Sequence, residues 1–387
     1  MSQWPMVKLG DVCTVVGGGT PKTAVPEYWG GTIPWLTPKD LSGNKNLYIS
    51  HGERSITKSG LANSSATLLP KGTVLWSSRA PIGHVAIADT NVATNQGFKS
   101  FIPGPNVDSE YLAYILIFMK DQLQEIGTGA TFKEVSAKRA KSIQIPLPTL
   151  EEQRRIASIL GHSTLQNSIV NKTINKLNTA RQGCIEKYVD DPSKTPRLDS
   201  LADLQGGLSL GKTREVNPVE VEYLRVANIQ RNNLILDNLK TIRCTEKELE
   251  RCTIKDGDIL MLEANANPLE VGRAAVAQVG SRHLVFQNHL FRVRPTEVSP
   301  IVLNALLSSV SVRTQLLRLA KTTSGLNTMT ISQARSLRIP LRDELTTREF
   351  ERQLTRIEQQ KKFLTEKQSL LEELHQSLAT RAFAGQL

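Results

Sequence analysis

The sequence predicts an α+β protein of two strand-rich domains, each followed by one long helix, and three observations carry that prediction. The chain is written twice: Ser142-Ile143-Gln144-Ile145-Pro146-Leu147 returns 194 residues later as Ser336-Leu337-Arg338-Ile339-Pro340-Leu341. Downstream of each copy a heptad repeat runs on, the spacing of a coiled-coil seam. Upstream of each copy, β-branched residues alternate with turn formers, as strands do.

Taken in order, residues 1–148 form the first mixed domain, 149–190 the first long helix, 191–341 the second domain and 342–387 the second helix. The domains echo one another beyond the hexapeptide. Lys8-Leu9 answers to Arg197-Leu198, Trp35-Leu36 to Tyr223-Leu224, Gly72-Thr73-Val74-Leu75 to Gly257-Asp258-Ile259-Leu260, and Ile82-Gly83-His84-Val85-Ala86 to Val271-Gly272-Arg273-Ala274-Ala275. Strands are expected within 72–87, 224–235, 257–279 and 284–293. Helices should start at Asp108/Ser109 and at Ser299-Pro300, where proline suits the first turn. Asp190-Asp191-Pro192-Ser193-Lys194-Thr195-Pro196 reads as the hinge between halves.

In the helices, Ile156, Ser163, Val170, Leu177 and Cys184 fall seven apart, followed at four-residue offset by Leu160, Asn167, Ile174, Arg181 and Tyr188. Phe350, Ile357, Leu364, Leu371 and Leu378 repeat the pattern, with Leu354, Lys361, Gln368, His375 and Ala382 as companions. The apolar members form the expected seam, and polar members weaken it while fixing register and partner choice. Two separate amphipathic helices, each packed on its own domain, is the other reading of this spacing. Thr149-x-x-Glu152 and Thr346-x-x-Glu349 are capping-box patterns at the two starts.

Composition bounds the function. Hydrophobic residues make up 39% and charged residues 22%, ordinary for a soluble globular protein, while the net charge of +11 favours a polyanionic partner. The positive excess falls mainly in the two mixed domains. Cys13, Cys184, Cys244 and Cys252 are scattered, so reduced thiols are expected and a metal site is not. The first five residues lead into no apolar signal stretch, and the longest apolar run, Tyr111 to Met119, is too short to cross a bilayer. A cytoplasmic protein without membrane attachment is expected. No G-x-x-x-x-G-K-[ST] loop, Asn-Pro-Pro-[Phe/Tyr] motif or zinc-ligand spacing occurs. The expectation is therefore a protein without a catalytic centre, metal or cofactor.

At this point the residues resemble a known family, the specificity subunits of type I restriction–modification systems. The passage Ile143-Gln144-Ile145-Pro146-Leu147-Pro148-Thr149-Leu150-Glu151-Glu152-Gln153-Arg154-Arg155-Ile156 is similar to the family's step from recognition domain into helix. The ending Arg381-Ala382-Phe383-Ala384-Gly385-Gln386-Leu387 is similar to its usual C-terminus. Trp35-Leu36-Thr37-Pro38-Lys39-Asp40-Leu41, Arg79-Ala80-Pro81-Ile82-Gly83 and Thr94-Asn95-Gln96-Gly97-Phe98 resemble its recognition domains. The second half departs, with Arg342-Asp343-Glu344 in place of a second Pro-Leu-Glu-Glu-Gln and Ala264-Asn265-Ala266-Asn267 where relatives often carry glycines. The resemblance implies two target-recognition domains held apart by an antiparallel coiled coil of the two helices and related by a pseudo-twofold axis. It also implies three kinds of partner: double-stranded DNA, two methyltransferase subunits, and restriction/translocase subunits.

Base reading in the major groove calls for Arg or Lys on guanine and Asn or Gln on adenine. Candidates in the first domain are Lys39, Ser77, Ser78, Arg79, His84, Asn95 and Gln96. In the second they are Arg225, Asn228, Gln230, Arg231, Asn232, Asn265, Asn267, Arg273, Gln287, Asn288 and His289. Lys22, Lys99, Lys212 and Arg214 are the phosphate candidates. Gly17-Gly18-Gly19 and Gly206-Gly207 sit at matching places early in each half and read as flexible or tight backbone turns beside DNA. The competing function is a coiled-coil scaffold whose basic domains bind protein or RNA.

Overall fold

A computed structural model describes residues 4–44, 46–79, 81–127, 133–323 and 325–387. Ala80 of the Arg79–Gly83 motif lies outside the described residues. The chain divides into two units, Met1–Val170 with Lys367–Leu387, and Asn171–Glu366. Each long helix thus contributes its beginning to one unit and its end to the other.

The strands of the first unit are β1 (Met6–Lys8), β2 (Cys13–Gly17), β3 (Trp29–Leu36), β4 (Tyr48–Ile49) and β5 (Arg54–Ile56), then β6 (Val74–Ser77), β7 (Val85–Ala88), β8 (Ala93–Thr94), β9 (Phe98–Pro103) and β10 (Gln144–Pro146). Five of them form a sheet of order β2-β9-β6-β7-β4, and three form β5-β3-β8, in which β3 and β8 run parallel. β6 reads Val-Leu-Trp-Ser and is buried at every position, because both faces of the sheet are covered here. The helix Ser109–Phe118 packs Tyr111, Leu112 and Ile115 against Trp76 and Phe101 in one core. Asp108 caps it by accepting from the backbone N–H of Glu110 and Tyr111, both at 3.0 Å. The Ile-Pro of the repeated hexapeptide is β10, whose Ile145 lies opposite Val7 of β1.

The second unit repeats this plan. Its strands are β11 (Ala202–Gly206), β12 (Val219–Leu224), β13 (Ile229–Gln230), β14 (Asn233–Leu234) and β15 (Lys240–Cys244), then β16 (Ile259–Leu262), β17 (Ala264–Asn265), β18 (Ala274–Val276), β19 (Leu284–Phe286) and β20 (Leu290–Pro295). The sheet β11-β20-β16-β18 matches β2-β9-β6-β7, and β15-β12-β19 matches β5-β3-β8, again with its parallel pair. One expected strand is replaced. Residues 224–235 form the end of β12, a 3-10 turn Val226–Asn228 and the hairpin β13-β14. The buried Asn228 explains it: its side chain accepts from Arg225 N–H and donates to Ile235 C=O, tying the segment into a turn.

The long helices run Leu150–Val189 and Glu344–Ala384. Thr149 Oγ1 accepts from Glu152 N–H at 3.4 Å, as expected of the first start. The second start differs from expectation. Asp343, not Thr346, is the cap, accepting from the Thr346 backbone at 3.0 Å and hydroxyl at 2.7 Å. An aspartate three residues ahead offers two acceptors and displaces the threonine from that role. In both units the two helices pair with opposite sense. Ser163 meets His375 in the first, and in the second Arg181 meets Glu358 while Tyr188 stacks on Phe350 with centroids 4.2 Å apart. Helices packed singly on their own domains are thereby ruled out. Every seam residue from Ile156 to Leu378 is buried or half-buried, whereas Leu165, Ile169, Phe363, Leu370 and Leu374 lie on exposed faces. No single helix among the described residues is long and apolar enough to cross a membrane.

Candidate nucleic-acid interface

In the first unit the glycine turn after β2 organises the polar loops. Gly19 N–H donates to Thr94 C=O at 2.8 Å, and a Cβ on Gly18 would stand 1.9 Å from the Asn95 carbonyl oxygen. The second unit builds the same turn: Leu208 N–H donates to Phe286 C=O, and a Cβ on Gly207 would stand 2.3 Å from the Gln287 carbonyl oxygen. The matched glycines are thus required by backbone-to-backbone approach.

Around the first turn gather Gln96, which accepts from Thr20 Oγ1, the exposed Lys22, and two tryptophans. The Trp35 indole N–H donates to Gly19 C=O at 2.9 Å and that of Trp29 to Lys22 C=O at 3.3 Å. The rings meet edge to face at 5.0 Å. Arg54 lies over Trp29, its guanidinium carbon 3.5 Å from the ring centroid. Such a cation–π stack contributes about 0.5–1 kcal/mol at an exposed site. Sequence reasoning missed this group because Trp29 and Arg54 meet only through the pairing of β3 with β5.

The other candidates of this unit divide sharply. Ser77 and Ser78 are fully buried and serve the backbone, donating to Pro81 and Gly97 carbonyls. Lys99, proposed for phosphate, is 8% exposed and reaches Ser78 Oγ and Glu134, so it is a scaffolding cation. Arg79 pairs with Glu134 at 2.9 Å. Burial pushes the Glu134 carboxyl up, but Arg79 and Lys99 outweigh it and hold it below the usual range. Asn95 Oδ1 accepts from Gly97 N–H, a local turn, and Lys39 is exposed against Glu53. Burial, with Lys120 second, lowers the His84 imidazole.

In the second unit Arg231 and Arg273 converge on Glu270 at 2.9 and 2.8 Å, while Arg313, absent from the sequence reading, donates to the Leu269 and Val271 carbonyls beside them. Asn232, at φ +58°, accepts from Arg181 and from Asn304. Its side chain therefore ties the hairpin to the first long helix. Asn228 and Gln287 are buried, and Asn265 and Asn267 accept from backbone N–H groups of their own loop. Arg225 Nη2 donates to Asn238 C=O, and Gln230 is exposed, donating to Ala227 C=O. Asn288 bonds Leu208 C=O through its backbone, and exposed His289 stands 3.7 Å from Glu263. Arg214, the other phosphate candidate, is held in a bidentate pair with Glu248 and lines a cleft of about 460 Å³ with Ser209, Asn217 and Thr245. The Lys212 side chain lies outside the described residues. Gln96, Lys22, Gln230, Arg231 and His289 are exposed, whereas Ser77, Ser78, Lys99, Asn228 and Gln287 are buried.

Residues 1–179 match the family model for the type I restriction modification DNA specificity domain. The chain is 47% identical over 161 residues to the MjaIX specificity subunit of Methanocaldococcus jannaschii, covering 41% of this chain and 37% of that protein. The first 179 residues are thus similar to the DNA specificity domain of type I systems. The EcoR124I/EcoR124II specificity subunit of Escherichia coli is 28% identical over 203 residues, 50% of this chain and 49% of that one. The aligned parts thus span under half the length of these two curated specificity subunits. In three dimensions the S subunit from M. genitalium superposes with a TM-score of 0.61 at 13% identity, covering 99% of this chain and 96% of that one. A chain from a type I R-M system gives 0.58 at 18% identity, covering 99% and 98%. Both show a fold shared with this chain.

Proposed function

We propose that this chain is the non-catalytic DNA-recognition subunit of a type I restriction–modification complex, reading an asymmetric bipartite site in double-stranded DNA. Residues 1–148 and 191–341 are its two recognition domains. The helices between and after them form an antiparallel coiled coil on which two methyltransferase subunits dock, with restriction/translocase subunits joining for cleavage. The observation that carries this reading is duplication with divergence. The two units share sheet order, glycine turn and parallel pair, yet carry different side chains around that turn. Like folds suit the dyad of the duplex, and unlike side chains suit unlike half-sites. Opposed pairing of the long helices in both units supports the coiled coil.

Selection from randomised duplex DNA, with the chain assembled on its methyltransferase partner, tests the reading. It should return two unlike short half-sites about one helical turn apart, centre to centre. A single continuous motif, a perfect palindrome, or preference for RNA over duplex DNA would refute it.

A further inference from the structure

We infer that Arg54 reads a guanine in the half-site of the first domain, held for that purpose on the face of Trp29; the inference rests on the DNA-recognition function proposed above. A guanidinium hydrogen-bonds in its own plane, through donors arranged as a rigid fork. Stacking over Trp29 uses its face and leaves that edge free. The arginine is exposed and forms no ion pair among the described residues. In contrast, Arg79, Arg231 and Arg273 are each committed to a carboxylate. Glu53, the acidic neighbour in sequence, is engaged by Lys39. A positioned, unpaired fork matches the O6 and N7 acceptors of guanine in the major groove, and its fixed orientation lowers the ordering cost of binding.

The repeat supplies an independent observation. Arg54 stands opposite Trp35 in the pairing of β3 with β5, and Lys240 stands opposite Tyr223 in the equivalent pairing of β12 with β15. Both units therefore present a cation at one register position beside an aromatic residue, and Lys240 is likewise exposed without an ion pair among the described residues. The two differ in that Arg54 carries a fork and Lys240 a single ammonium. Such a pair would give two half-sites unlike requirements at corresponding positions.

The test is selection from a randomised duplex library by the full chain with its methyltransferase partner, comparing wild type with Arg54→Ala, Arg54→Lys, Trp29→Leu and Lys240→Ala. Arg54→Ala should lower discrimination at one G·C position of one half-site by roughly 5- to 150-fold and leave the other half-site intact. Arg54→Lys keeps the charge, yet should fail to restore that position, and Trp29→Leu should weaken the same position. Lys240→Ala should act only on the other half-site. Even loss across all sequences, with a salt dependence reduced by about one counterion, would reassign Arg54 to a phosphate and overturn the inference. An unchanged selected motif would overturn it as well. A wild-type protein that selects no motif would instead refute the recognition function itself, so the two failures are distinct.

Discussion

Gln153 has no exposed surface, and its amide serves three backbone groups at once. Oε1 accepts from Asp108 N–H at 2.8 Å, while Nε2 donates to the carbonyls of Asn106 at 3.0 Å and Pro148 at 2.9 Å. One side chain therefore joins the start of the long helix to the cap of helix Ser109–Phe118. Gln153→Ala leaves these groups unpaired in the interior and should lower unfolding stability by about 3 kcal/mol, measured by urea denaturation. The Pro-Thr-Leu-Glu-Glu-Gln run marked a helix start in the sequence, but which member is buried depends on contacts 45 residues away. Base-reading candidates suffered the same limitation. Composition singled out polar residues in turns, and several of them, Ser77, Asn95, Asn228, Asn265 and Asn267 among them, hold the turns themselves. His375 gives a second residue-level expectation. Burial against the helix pair lowers its imidazole below the ordinary 6.5, with Nδ1 3.2 Å from Ser163 Oγ. The unfolded chain then takes up this proton at a higher pH than the folded one. Its contribution is full above about 6.5 and is lost as pH falls below that value through the lowered one. Thermal melts should accordingly show a smaller decline between pH 7 and pH 5 for His375→Gln than for wild type.

The helices were the most legible elements, because a seven-residue period sustained over about five heptads is the mark of a coiled-coil seam. Their polar members also found a use. Arg181 and His375 occupy equivalent positions in the repeat, and each meets a polar partner on the opposing helix, Glu358 and Ser163. Strand limits were less legible, since an alternation of apolar and polar residues cannot reveal that Asn228 closes a turn with its own side chain. The glycine turns lie between these cases: the sequence located them, while the contacts they permit required the fold. Adjacent glycines should accordingly behave differently. A Cβ on Gly17 meets nothing within 4 Å, whereas one on Gly18 collides with the Asn95 backbone. Gly17→Ala should melt within a degree or two of wild type, while Gly18→Ala should cost about 1–3 kcal/mol and displace the loop carrying Gln96. Equal melting temperatures for both variants would show that the turn yields freely.

At the scale of the whole chain, each compact unit draws on segments distant in sequence. Phe383, near the end of the second long helix, packs in the core of the first unit, with its ring 5.7 Å from Tyr111 and 5.1 Å from Phe118. Trp4 Nε1 donates to Ala382 C=O at 3.3 Å, and Arg155 to Leu387 C=O at 3.0 Å. A graft that exchanges residues 1–146 alone therefore places a foreign pocket around Phe383. A graft that also exchanges 147–170 and 367–387 carries the complete core of that unit. Both should transfer one half-site from the donor and leave the other unchanged, because the second unit has its own cores around Phe291 and Phe286. Only the smaller graft should lose stability, by about 1–3 kcal/mol, the usual cost of a mismatched interior. Site selection and thermal denaturation of the two chimeras, each with the same methyltransferase partner, separate recognition from packing. If the smaller graft melted with the larger one, the tail of the second helix would be dispensable to the first module. If either graft altered both half-sites, the two units would read DNA jointly.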